Sequence, residues 1–374
     1  MAELPFLKNA AAGVLKMRAY EPGMPVEELQ RRLGVSDAIK LASNENPLGP
    51  SPRVKQALAE AAKGNLALYP DDGGFRLKAK LAQLHSVSPA HIVLCNGSNT
   101  LLDLVARVFL GSDRAAMYSQ YAFAVYPLVT LAQTAPALVV PALPPGDAMA
   151  YGDDLAAFER MLRPDVAVIF IASPNNPTGT WVDQRAFERF LEKVPARAVV
   201  VLDEAYWHYQ APELRIDSAA LMRRYPNLMV TRTFSKVHGI AALRVGYGVA
   251  DPQIIDLLHR VRQPFNNGSL ALLAAELALD DTAHVAESVA LNTRERARLD
   301  AALKGMSLRT LPSQANFVTV GFGRNAAPIH QGLLERGVIV RPMGSYQMPE
   351  FLRVSVGTAA ENDRFLAALK EVLA

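Results

Sequence analysis

Lys236 stands in Thr233-Phe-Ser-Lys-Val-His-Gly239, between an apolar run and a glycine turn. A lysine attacks carbonyl carbon only where its ammonium loses a proton readily, as in a partly desolvated pocket. On an open loop the same residue is a solvated cation, the commoner fate of lysines. Asp203 weighs on that choice. It directly follows the apolar Val199-Val-Val-Leu202, so it sits where a strand leaves its sheet. A carboxylate there can keep a ring nitrogen protonated, as an electron-withdrawing cofactor requires, or it can cap a following helix. Tyr206, three residues on, either bonds a phenolate oxygen of the same ligand or packs.

The loop Ser173-Pro-Asn-Asn-Pro-Thr-Gly179 is dense in turn formers, and its two prolines restrict their neighbours and aim Asn176. An ordinary turn needs fewer constraints, so this loop reads as facing a ligand. Gly97-Ser-Asn-Thr100 offers backbone amides and a positive helix end to a phosphate, although many helices begin this way without one. Arg244, eight residues after Lys236, is placed to clamp the same phosphate. Arg353, inside the apolar Phe351-Leu-Arg-Val-Ser-Val356, either awaits a carboxylate bidentately or lies exposed on an edge strand.

These residues need a frame. The runs 166–172, 198–202, 227–230 and 245–249 read as buried strands, with helical spacing over 181–194 and 218–225 between them. A further helix is expected over 101–110, with Ser98 and Asn99 as its capping residues. Strands alternating with helices predict a mostly parallel sheet covered on both faces, with ligands at the carboxyl ends of the strands. Ser173 to Thr178, Asp203 to Tyr206 and Ser235-Lys236 all fall at such ends. From about residue 283 the texture becomes α+β. Helical 287–304 precedes a strand at 316–320, helical 327–336, strands at 338–340 and 352–356, and a closing helix at 361–373.

At 374 residues the chain has the length of a two-domain enzyme or of one large α/β domain, with half its residues apolar and a fifth charged. A formal charge of +3 and the lack of a basic run give no reason to expect nucleic acid or a membrane surface. The single cysteine, Cys95, leaves no disulfide or thiolate metal site to build, and the seven histidines lack metal-binding spacing. No signal-peptide pattern opens the chain, so a cytoplasmic protein is expected. Gly246-Tyr-Gly248 ends a strand and lacks the third glycine of a dinucleotide fingerprint, and no G-x-S-x-G elbow occurs.

Seven stretches then fall into an order: Leu41-Ala-Ser-Asn-Glu-Asn-Pro-Leu-Gly-Pro50, Cys95-Asn-Gly-Ser-Asn99, Asn175-Asn-Pro-Thr-Gly179, Asp203-Glu-Ala-Tyr206, Thr233-Phe-Ser-Lys236, Leu243-Arg-Val-Gly-Tyr247 and Phe351-Leu-Arg-Val-Ser-Val-Gly-Thr358. Across nearly the whole chain this resembles the class I and II aminotransferases of the fold-type I pyridoxal-phosphate enzymes, nearest to the branch acting on histidinol phosphate. The resemblance implies an α/β architecture with a large cofactor-binding domain over 41–282. Residues 1–40 and 283–374 would form a smaller α+β domain with an N-terminal arm. It implies pyridoxal 5'-phosphate as cofactor and amino transfer between L-histidinol phosphate and 2-oxoglutarate. Lys236 would bind the cofactor covalently and shuttle the proton between the substrate Cα and the cofactor C4′. Asp203 would pair with the pyridine nitrogen, Tyr206 and Asn176 with the phenolic oxygen, and Tyr121 would stack on the ring. Ser98, Asn99, Ser235 and Arg244 would hold the cofactor phosphate. Arg353 would take a substrate carboxylate, and Tyr20 with Arg341 the substrate phosphate. Tyr69 would reach the neighbouring subunit's cofactor phosphate, which implies a homodimer.

Three stretches depart from that pattern: His238 replaces a tyrosine, Asn266-Asn-Gly-Ser269 replaces Asn-Val-Asn-Ser, and Gly344-Ser-Tyr-Gln-Met-Pro349 is unusually polar. They bear on which substrate is used. Three rivals stay open beside histidinol phosphate: aromatic amino acid transamination, phosphothreonine decarboxylation, and a pyridoxal-phosphate-binding regulator without catalysis.

Overall fold

Apolar runs between turn residues become strands: β1 (Ile39–Leu41), β2 (Ile92–Cys95), β3 (Ala115–Ser119), β4 (Ala137–Val140), β5 (Val166–Ala172), β6 (Val199–Asp203), β7 (Leu228–Thr233), β8 (Gly246–Val249), β9 (Arg309–Thr310), β10 (Phe317–Gly321), β11 (Val338–Pro342) and β12 (Phe351–Ser355). The computed structural model describes residues 5–20, 22–35 and 37–374, so the first four residues of the expected arm lie outside it.

Strands β2 to β8 form one sheet in the order β2-β8-β7-β6-β5-β3-β4, parallel except for β8, which runs against both neighbours. Along β5 the side chains alternate. Val168, Phe170 and Ala172 pack toward Leu101, Leu104 and Val105, while Ile169 and Ile171 pack toward Phe158 and Phe187. Both faces are dry, which is why β5 reads as an unbroken apolar run. Burying each such side chain contributes about 1.5–3 kcal/mol.

The second sheet runs β1-β11-β12-β10-β9, with β1 parallel to β11 and the other pairs antiparallel. Its core takes Leu299 and Leu303 from the helix Thr282–Gly305, Ile329 and Leu333 from Ala327–Glu335, and Phe365 and Leu369 from Ala359–Leu373. The last helix opens with a capping box between Thr358 and Glu361, which satisfies two otherwise unpaired amides. The architecture is therefore α/β, a mostly parallel sheet flanked by helices beside a smaller α+β sheet. No helix among the described residues is long and apolar enough to cross a membrane.

One boundary differs in a way that matters. The helix expected over 101–110 runs Gly97–Phe109, so Ser98 and Asn99 lie inside its first turn and do not cap it. Asn96 is the N-cap and makes no side-chain cap bond. A side chain at Gly246 on β8 would collide with the Ser98 amide, and its absence lets the helix begin against the sheet. The amides of that first turn are thus left to a ligand or water.

Candidate active site

The carboxyl ends of β5, β6 and β7 lie side by side, with Ala172 level with Asp203 and Asp203 level with Thr231. The chain beyond these ends supplies Asn176, Tyr206 and Ser235-Lys236. Because β8 is antiparallel it starts at the same end, which brings Arg244 there, and the helix after β2 brings Ser98 and Asn99. From the other sheet, Arg341 on β11 and Arg353 on β12 face each other in register. All the expected site residues except Tyr69 and Tyr121 line one cavity of about 190 Å³. Lys236, Arg244, Arg341 and Arg353 are its cations, and Asp203 is the one acid among its lining residues.

Lys236 donates from Nζ to the Ser43 carbonyl at 3.1 Å. Burial, with the Arg353 and Arg244 charges adding to it, pushes its ammonium down to about 8. Asp203 is buried on the same face of β6 as Val201 and accepts from the Tyr126 hydroxyl at 3.0 Å and the Ala205 amide at 3.1 Å. Burial raises its carboxyl above the usual range, against those two bonds and the Lys236 charge. Tyr126 lies in the helix Val125–Ala132 and stacks on Phe170 with centroids 4.7 Å apart. Nothing in the sequence distinguishes it from a packing aromatic; only the fold brings it under Asp203.

Arg244, at a left-handed φ of 55°, donates from Nη1 to Ser235 Oγ at 3.2 Å. Its guanidinium fills the space a side chain at Gly97 would need, and Gly97 itself has φ 74°. Gly97→Ala should therefore displace Arg244 and weaken the hold on a phosphoester ligand by about tenfold or more, read as the dissociation constant of pyridoxal phosphate by fluorescence titration. An unchanged constant would remove this cradle.

Arg353 is buried, donates from Nη1 to Asn176 Oδ1 and from Nη2 to the Ala42 carbonyl at 2.9 Å, and leaves Nε without a partner. An unpaired buried donor costs about 1–3 kcal/mol. The Arg341 guanidinium lies 5.7 Å from the centre of the Tyr20 ring, which is half-exposed.

Tyr121 packs on the cluster that holds the cavity residue Tyr346. Its carbonyl accepts from Asn175 Nδ2 at 2.9 Å and its ring packs 5.3 Å from Tyr151, and the chain so turned presents Phe123 to the cavity. Tyr69 is 80 % exposed and stacks on Phe265 at 4.5 Å, outside the cavity.

The unusual stretches fall mainly behind the site. His238 is buried against Phe234 and His208, with its imidazolium pushed down to about 4 by burial. Asn266 and Asn267 clamp the end of β2 by donating to the Leu94 and Cys95 carbonyls at 3.1 and 3.0 Å. Of the polar 344–349 stretch, Tyr346 lines the cavity.

A buried lysine and an acid at adjoining strand ends, with an anion cradle at a helix start, suit carbonyl chemistry on an anionic ligand held over a doubly covered sheet. The family model for aminotransferase class I and II matches residues 36–369, and the chain belongs to that family. Its sequence is similar to histidinol-phosphate aminotransferase 1 of Thiobacillus denitrificans, 52% identical over 98% of this chain and 94% of that protein. It is also similar to histidinol-phosphate aminotransferase 2 of Pseudomonas aeruginosa, 49% identical over 99% of both. Among solved structures it resembles histidinol-phosphate aminotransferase from Sinorhizobium meliloti in complex with pyridoxal-5'-phosphate, with a TM-score of 0.88, 27% identity, and 97% and 96% of the two chains covered. Aspartate aminotransferase from Thermus thermophilus with maleate shares the fold, at TM-score 0.83 and 21% identity over 96% and 98%. The chain is thus a pyridoxal-phosphate-dependent aminotransferase of fold type I.

The residues present fit that cofactor. Uncapped helix amides, Ser235 and Arg244 suit a phosphoester, Asp203 suits a basic ring nitrogen, and Lys236 is the amine within the cavity.

Proposed function

We propose that this enzyme moves an amino group between L-histidinol phosphate and 2-oxoglutarate. The observation that carries the reading is the pair of guanidiniums facing each other across β11 and β12, one beside Tyr20 and the other on Asn176. Histidinol phosphate brings a dianionic phosphate and no carboxylate, whereas glutamate brings two carboxylates. Two adjacent cations of different surroundings serve both, Arg341 with Tyr20 taking the phosphate and Arg353 a carboxylate. The names of the relatives at 52% and 49% identity support the same substrate.

Pyridoxal phosphate, when bound, supplies the electron sink that acidifies the substrate Cα and carries the amino group. In this reading Asp203, braced by Tyr126, holds a proton at the ring nitrogen. Lys236, with its basicity lowered by burial and by Arg353, accepts and returns the proton at Cα. Asn176 and Tyr206 orient the ring oxygen. Tyr121 stacks on the ring, with Phe123 lining the cavity beside it. Ser98, Asn99, Ser235 and Arg244 anchor the phosphate and fix the ring against the lysine.

The division into a larger unit over 41–282 and a smaller one from 1–40 and 283–374 belongs to the same proposal. So does a homodimer. Leu66, Leu68, Tyr69 and Phe75 are each 61–80 % exposed, an apolar patch that suits a second copy. Asp72 ties this stretch to Arg262 at 2.6 Å, which poises Tyr69 to reach across. A cytoplasmic setting agrees with the lone, buried thiol of Cys95.

The test mixes cofactor-loaded enzyme, in excess, with histidinol phosphate or phenylalanine and follows the cofactor's visible absorption. Fast loss with histidinol phosphate and slow loss with phenylalanine is expected. The reverse order would move the enzyme to aromatic amino acids, and release of CO2 from phosphothreonine would make it a decarboxylase.

A further inference from the structure

Asn44 follows β1 by three residues, is buried, and holds a left-handed φ of 56°. Among residues with a side chain, Asn and Asp adopt that conformation most readily, and its cost is of order 1 kcal/mol or more. The strain places four groups at once. The Asn44 amide donates to Ser355 Oγ at 2.8 Å, and Asn316 Nδ2 donates to the Asn44 carbonyl at 3.0 Å. Ser355 Oγ donates to Asn44 Oδ1 at 3.0 Å, and Asn44 Nδ2 donates to the Tyr206 hydroxyl at 2.9 Å.

Ser355 Oγ accepts from the Asn44 backbone N–H and donates its own hydrogen to Asn44 Oδ1. With its oxygen held by Ser355, the amide presents Nδ2 to Tyr206. The Tyr206 oxygen therefore receives a hydrogen from behind, and its own hydrogen points elsewhere. No protein acceptor for that hydrogen occurs among the described residues, and Tyr206 lines the cavity.

We propose that Asn44 is a positioning residue that makes Tyr206 a hydrogen-bond donor into the site by occupying the acceptor side of its phenol. The inference rests on the pyridoxal-phosphate reading above, with Tyr206 at the cofactor's phenolic oxygen. A donor at that oxygen competes with the proton the bound cofactor shares with Lys236. Where Tyr206 is turned away, that proton is held more tightly and leaves at higher pH. Ser355 lies two residues beyond Arg353 on β12, so the strand that presents Arg353 also orients Tyr206.

The experiment titrates the visible absorption of the bound cofactor against pH, with no substrate, in the wild type, Tyr206→Phe, Asn44→Asp and Asn44→Gly. Melting curves confirm the fold. Asp and Gly both tolerate the left-handed backbone. A carboxylate at 44 would accept the Tyr206 hydrogen and draw it from the cavity, whereas glycine only frees the phenol. The midpoint is expected to rise by about one unit in Tyr206→Phe and Asn44→Asp, and by less in Asn44→Gly. If Asn44→Asp fails to hold cofactor, Asn44→Gly decides by the same comparison. A raised midpoint in Tyr206→Phe with both Asn44 variants unchanged would overturn the role of Asn44 and leave the cofactor reading standing. No cofactor absorption in the wild type would overturn both.

Discussion

Lys236→Ala is expected to lower turnover by at least about 10³-fold while leaving the fold in place. The two halves of this result have separate causes. Turnover falls because Lys236 is the one basic amine lining the cavity, and no other lining group can both bind the cofactor covalently and move a proton at Cα. The fold persists because a buried ammonium is a burden at neutral pH. Its folded pKa, about 8, is below its ordinary value of 10.5, so between these values the unfolded chain binds more protons. Native stability therefore rises with pH across that window, and below about 8 the penalty is fully present. Alanine removes that penalty and loses some packing, so the melting temperature should move by only about 4 °C. Steady-state transamination and a melting curve check both halves. Wild-type turnover by Lys236→Ala without added amine would sink the mechanism.

Arg341→Ala should lower kcat/KM for histidinol phosphate by on the order of 10²-fold and for phenylalanine by only a few-fold. Losing charge-assisted hydrogen bonds to a phosphate removes about 2–3 kcal/mol, which sets the first figure. Phenylalanine offers Arg341 no anion, which sets the second. Lysine at 341 should recover part of the loss, since it restores a point charge but not a planar fork. Equal losses for the two substrates would remove the reason for assigning Arg341 to the phosphate.

The sheet behind these residues was legible because burial on both faces demands continuous apolar runs, and β5, β6, β7 and β8 fall within a few residues of where such runs occur. The two edge strands were not. β2 and β4 close the sheet on either side, and β4 alternates exposed with buried positions, so its apolar run is broken. The start of the Gly97–Phe109 helix was misplaced because its boundary depends on Gly246, nearly 150 residues away in the chain.

Alone, the sequence determined the chemistry: a lysine, an acid, a turn-rich loop and a glycine-led helix start, each at the end of an apolar run. A parallel sheet then gathers such ends at one edge whatever the details, because its strands all point the same way. Tertiary structure alone decided which neighbours tune those groups. Tyr126 reaches Asp203 across 77 residues, Asn44 meets Ser355 across 311, and Arg341 faces Arg353 only because β11 and β12 pair antiparallel. Likewise, only the fold ties Asn175 to the Tyr121 carbonyl across 54 residues. Hydrogen bonds and charges act over a few ångströms in space and carry no mark along the chain, so these choices exist only once the two sheets have closed on each other.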